Sequence, residues 1–210
     1  NRYDRKTDTW THYRHDPSDQ NSLNDDWINS ILEDQDGVLW VGTKNGGLNR
    51  FERERNTFHH YTHDPNNPKS ISSNEVWSLQ EDHLGRIWVS HLVSSNSGLN
   101  LFDKENGTFN RYRHESNEST SVSSNSITRL YEDKRTKTLW VVNHTGHIDR
   151  QTQNIVHFRH WSGDTNIPDS LSDRTVLPII EDKNNIIWVG TASGGLNRID
   201  RETGKVQRKM

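Results

Sequence analysis

Short apolar runs alternate with polar turns along this chain, and no stretch sustains a 3.6-residue apolar period. The pattern predicts β-strands and no substantial helix. One cycle illustrates it. Val76-Trp77-Ser78-Leu79-Gln80 alternates up to the acidic pair Glu81-Asp82, and a turn carrying Gly85 leads into Ile87-Trp88-Val89. A loop of small residues, 94–98, precedes Leu99-Asn100-Leu101-Phe102. A second turn at Asn106-Gly107 leads to Thr108-Phe109-Asn110-Arg111-Tyr112. Glycine-bearing turns between such runs are hairpin signals. A polar stretch from Glu115 to Asn125 then carries the chain into the next cycle.

The cycle returns four times. Glu33-Asp34 leads to Leu39-Trp40-Val41, Glu81-Asp82 to Ile87-Trp88-Val89, Glu132-Asp133 to Leu139-Trp140-Val141, and Glu181-Asp182 to Ile187-Trp188-Val189. The steps from Trp to Trp are 48, 52 and 48 residues. Four short antiparallel strands repeated at such a period predict an all-β fold of β-propeller blades, since the coils of a β-helix are shorter and parallel. The expected blades cover 26–63, 75–114, 126–161 and 174–210, and residues 1–15 form the outer strands of a preceding blade. The whole of 1–210 is then one partial propeller, about four and a half blades. Because it opens inside a repeat, the chain is expected to be a fragment of a larger propeller.

The repeated phrases resemble the two-component regulator propeller repeat. Glu33 to Thr43 matches its acidic-pair-to-Trp phrase, Gly46-Gly47-Leu48-Asn49-Arg50 its second phrase, and Ser70-Ile71-Ser72-Ser73-Asn74 its linker. The resemblance spans the chain. It implies an extracytoplasmic, periplasmic sensor region of a membrane-anchored bacterial receptor, with a histidine kinase, hybrid kinase or diguanylate cyclase as output; no output motif is present. The third unit departs most. Its Gly-Thr becomes Val142-Asn143, its Gly-Gly-Leu becomes Gly146-His147-Ile148, and Thr136-Lys137 replaces the turn glycine.

Composition changes this picture in one respect. A hydrophobic fraction of 28% and a mean hydropathy of −1.07 would suit a disordered chain, but eight Trp residues placed by the repeat supply a core. The net charge of −3, with both signs dispersed, offers no basic block for nucleic acid. There is no cysteine, so disulfides and thiolate metal sites are excluded. No apolar run approaches a membrane span.

The repeat also separates scaffold from candidate site. The acidic pairs occur in every blade, so they are expected to fix turns rather than catalyse. The four repeated Trp residues are expected to fill the space between blades. His15, His63, His114 and His160 are read as one repeated position, too far apart to share an ion. No metal or cofactor is expected.

The variable positions lie in the loop between the second and third strands and at the residues opening each first strand. An up-and-down blade brings both to one face. The candidate ligand-binding residues are Trp27, Glu75, His91, Asn143, His144, His147 and Arg174. Three functions compete. The first is a non-catalytic sensory module that binds a small polar ligand or an oligosaccharide. The second is a propeller enzyme, a lyase or glycoside-active enzyme, with His91, His144 and Glu75 as its starting points. The third is an architectural scaffold that forms a homodimer.

Overall fold

The computed structural model describes residues 1–92, 97–151, 158–164, 166–184, 186–200 and 203–209. The strands are β1 (Arg2–Asp4), β2 (Thr9–Thr11), β3 (Ile28–Glu33), β4 (Leu39–Thr43), β5 (Leu48–Glu52) and β6 (Thr57–Tyr61). They continue with β7 (Ser78–Glu81), β8 (Ile87–Ser90), β9 (Leu99–Asp103), β10 (Thr108–Tyr112), β11 (Ile127–Glu132) and β12 (Leu139–Asn143). The last six are β13 (His147–Gln151), β14 (Phe158–Ser162), β15 (Val176–Glu181), β16 (Ile187–Thr191), β17 (Leu196–Ile199) and β18 (Val206–Lys209). Among the described residues there is no α-helix.

β3–β6, β7–β10, β11–β14 and β15–β18 form four up-and-down antiparallel sheets, and β1–β2 a two-stranded one. The first strands contact one another in sequence, β3 with β7, β7 with β11 and β11 with β15. The sheets are therefore β-propeller blades ranked around a common inner edge, here numbered 1 to 4. The alternation beginning at Val76 does not become strand until Ser78. Val76 instead gives its N–H to Thr43 O of the preceding blade, at 2.9 Å.

The core lies between blades rather than within them. Trp40 and Leu48 of blade 1 pack with Ile71, Val76, Ile87, Val89, Phe102 and Phe109. Trp88 and Leu99 of blade 2 pack with Val122, Ile127, Leu139 and Val141. Trp140, Ile148 and Trp161 of blade 3 pack with Leu171, Val176, Ile187 and Val189. The second strands of blades 1 to 3 are thus covered on both faces, which is why β12 is buried at every residue, whereas β16 of blade 4 is only partly buried. One Trp per blade suffices because an indole buries roughly 150–250 Å². This is how a chain of low hydropathy still closes a core.

Candidate functional site

The repeated polar residues are used by the scaffold, and the acidic pair divides its labour. Asp34 Oδ1 accepts Asp36 N at 3.1 Å and Val38 N at 2.9 Å, while its Oδ2 accepts Trp40 Nε1 at 2.9 Å. Asp82 holds Leu84 N, Arg86 N and Trp88 Nε1 in the same way, and Asp182 holds Asn184 N, Ile186 N and Trp188 Nε1. A carboxylate with two oxygens can close the turn with one and orient the indole with the other. The Glu reaches the preceding blade instead. Glu81 accepts Gln35 N at 2.8 Å, Glu132 accepts His83 N at 2.8 Å, and Glu181 accepts Tyr131 OH at 3.0 Å.

The links between blades are anchored just as regularly. Each link gives an N–H to the third strand of the blade that follows. Asn24 donates to Asn49 at 3.2 Å, Ser72 to Asn100 at 2.9 Å, Ser123 to Asp149 at 3.0 Å and Ser172 to Asn197 at 2.9 Å. A side chain on the fourth strand then caps link carbonyls. His60 Nε2 lies 2.7 Å from Ser22 O, Arg111 Nε donates to Ser70 O at 3.0 Å, His160 Nε2 lies 3.1 Å from Ser119 O, and Arg208 Nε donates to Ser170 O at 3.1 Å.

This register corrects the histidine alignment. His15, His63 and His114 are equivalent: each ring Nδ1 lies against a link carbonyl, of Leu23, Ile71 and Val122, at 2.8–2.9 Å. Their backbone N–H groups go to Asp26, Asn74 and Asn125. The fourth copy of that position is Gly163, which bridges to Leu171. His160 lies in β14 opposite Asp149 and is the counterpart of His60, which lies opposite Asn49.

The loops between second and third strands do meet the residues that open each first strand. Lys44 N donates to Trp27 O at 3.0 Å, His144 N to Ser126 O at 2.9 Å and Ala192 N to Thr175 O at 2.9 Å. In blade 2 the contact is made by His91 Nδ1, 2.6 Å from Glu75 O. Residues 94–96 of the loop expected over 94–98 lie outside the described residues.

The seven candidates are placed very differently. Trp27 is exposed, with Lys44 Nζ 4.0 Å from its ring centroid. His144 and Arg174 are exposed and Glu75 is half-buried. His91 is fully buried, and desolvation pulls its pKa down to about 4, an effect that the Glu75 carbonyl offsets only in part. Asn143 is fully buried too; it gives Nδ2–H to Ser123 Oγ and accepts His147 N. The seven thus spread over the four blades and the strand openings rather than meeting around one point.

His147 is the one that lines a described cavity, a pocket of about 410 Å³ shared with His114, His160, Glu115, Glu118 and Ser123. Beneath it Asp149, fully buried, lies 2.7 Å from His160 Nδ1. That bond raises the His160 pKa above its ordinary 6.5, whereas burial lowers that of His147. Asp149 was not among the candidates, and His160 was set at the wrong repeated position. The signal was there: Asp149 replaces the Asn of the Leu-Asn-Arg phrase.

The comparisons with known proteins accord with this architecture. Residues 22–45 and 70–92 match the two component regulator propeller family. Among solved structures, the chain is similar to the extracellular domain of BT3049 from B. thetaiotaomicron, described as a hybrid two component system. The TM-score is 0.75 at 23% identity, over 94% of this chain and 25% of that one. The extracellular domain of BT4673 from the same organism, described likewise, gives a TM-score of 0.68 at 21% identity over 89% of this chain and 24% of that one. Virginiamycin B lyase from Staphylococcus aureus gives 0.63 at 14% identity, over 87% and 55%. These likenesses establish the fold, and the chain spans about a quarter of the first two structures. No curated protein matches. Residues 22–45 and 70–92 thus match two component regulator propeller repeats, in a chain whose sheets are set as blades of a β-propeller.

Proposed function

We propose that this chain is part of the extracytoplasmic sensory propeller of a bacterial signalling receptor, and that it binds a small polar ligand or an oligosaccharide without transforming it. The reading is carried by one observation: the side chains that break the repeat and stay accessible, Trp27, His144 and Arg174, stand at the blade ends where loops and links meet. Trp27 with Lys44 beside it offers a flat apolar face and a cation, and His144 and Arg174 add polar donors. Glu75 and His147 belong to the same end of the blades. His91 and Asn143, buried and bound to the backbone, hold the loops in place.

The enzyme reading loses one of its three starting points, His91. A general base must reach a substrate proton and hold a pKa near the working pH. His91 is fully buried, its Nδ1 is engaged by Glu75 O, and its pKa is about 4. The third function, homodimerisation through the propeller, has no residue of its own to rest on.

The test is calorimetry of the intact extracytoplasmic region against a panel of glycans and small polar metabolites, beside signalling assays. Replacing Trp27 and Glu75 by Ala is expected to weaken the response at least tenfold. No ligand found, together with normal signalling in that double variant, sinks the proposal.

A further inference from the structure

His160 holds the link between blades 2 and 3 through contacts that require a proton. Its Nδ1 lies 2.7 Å from Asp149 Oδ1 and its Nε2 lies 3.1 Å from Ser119 O. A carboxylate and a carbonyl can only accept, so both ring nitrogens must donate, and only the imidazolium does that. A neutral ring that kept the bond to Asp149 would turn a lone pair on Ser119 O.

The other blades provide the control. At the same position Arg111 and Arg208 cap their links from opposite Asn100 and Asn197. Guanidinium does not titrate in proteins, so those two links are capped at every pH. His60 lies opposite neutral Asn49. Blade 3 alone sets a histidine against a buried acid.

The groups facing this pair are His147 from the third strand, His114, Glu115 and Glu118 from the link, and Arg174 from the opening of blade 4. We propose that Asp149 and His160 form a proton-binding site that locks the 115–125 link onto blade 3 while His160 is charged and releases it when the proton leaves.

The direction is consistent on both sides. The Asp149 bond raises the His160 pKa, so its contribution is complete below the ordinary value of 6.5 and is lost as pH rises through the raised one. His147 is lowered by burial, so its contribution is complete above 6.5 and is lost as pH falls through the lowered value. The link ends at Ser126, which accepts His144 N and donates its hydroxyl to Leu92 O.

An NMR titration of the His160 ring in the 210-residue chain tests this, combined with amide exchange at Ser121 and Phe158, corrected for intrinsic pH dependence. Those amides bond to Glu118 O and Thr120 O. We expect His160 to titrate above 6.5, with amide protection falling by up to about tenfold per pH unit between 6.5 and its midpoint and levelling off above it. His160→Arg is expected to keep protection flat. Asp149→Asn, the residue of the other blades, is expected to bring the His160 midpoint down. A wild-type midpoint at or below 6.5, the same fall in protection in His160→Arg, or an unmoved midpoint in Asp149→Asn would each overturn the proposal.

Discussion

Blades 2 and 3 share a topology but satisfy their polar groups by different chemistry. In blade 2 the turn from Asp82 to Trp88 closes around Gly85 at φ 73°, and Asp82 Oδ2 takes the indole N–H at 2.8 Å. In blade 3 the same turn is one residue longer. It closes through Lys137 at φ 57°, and Asp133 Oδ1 takes Arg135 N and Thr136 N, at 2.9 and 3.1 Å. Trp140 Nε1 then has no hydrogen-bond partner among the described residues. At the other end, blade 2 pairs Asn100 with Arg111 and blade 3 pairs Asp149 with His160. The lesson is that departures from the repeat come coupled. A charge introduced on one strand is answered by a charge on its neighbour, and an inserted turn residue is answered by an indole left to pack without its bond.

The largest difference between the blades should appear in acid. Blade 2 buries His91 where blade 3 has Asn143. Burial holds the His91 pKa at about 4, against 6.5 in the unfolded chain. The unfolded state therefore binds more protons between those values, so this contribution is complete above pH 6.5 and is lost as pH falls toward 4. It amounts to about 3 kcal/mol. Urea unfolding at pH 7 and pH 4 should show a loss of that size that shrinks in His91→Thr, the residue of blades 1 and 4. Equal acid sensitivity in wild type and variant would show that His91 is not the group responsible.

A smaller gap should separate the two tryptophans. Trp88→Phe strips a buried carboxylate of one donor, while Trp140→Phe removes an N–H that has no described partner. Leaving a charged acceptor short costs about 1–3 kcal/mol, so Trp88→Phe should be the more destabilising by roughly that amount. Chemical denaturation of both variants measures the difference. Equal losses would mean that the Asp82 bond contributes nothing net.

Most of this fold could be read from the chain, because one Trp per cycle marks the second strand and the phrases around it fix the phase. The turn role of Asp34, Asp82 and Asp182 could be read for the same reason: it is local, closed within four residues. The role of Glu81, Glu132 and Glu181 could not, since it joins positions 46 to 50 residues apart in different blades. The candidate site fared unevenly. Topology correctly brought loops and strand openings to one end, yet variability alone could not tell exposed Trp27 from buried His91. The Asp149–His160 pair was hidden by aligning on the histidine instead of on the strand, which moved His160 out of register with His60.

The finest test exchanges the turns themselves. Lys137 adopts a left-handed φ of 57° in which a side chain is disfavoured, whereas Gly85 adopts φ 73° with Gln35 packed over it. A Cβ at Gly85 would lie 2.1 Å from Gln35 Nε2, so a side chain there meets both backbone strain and a steric neighbour, although the neighbour is the end of a flexible chain. Lys137→Gly relieves a left-handed strain of about 1–2 kcal/mol and gives back roughly 0.4–1 kcal/mol in unfolded-chain entropy, leaving a gain of a few tenths up to about 1 kcal/mol. Gly85→Ala should cost about 1 kcal/mol. Thermal unfolding of the two variants should move in opposite directions. A shared direction would mean that the longer turn of blade 3 has its own stabilising contacts at Lys137, and that its difference from blade 2 reaches beyond the missing indole bond.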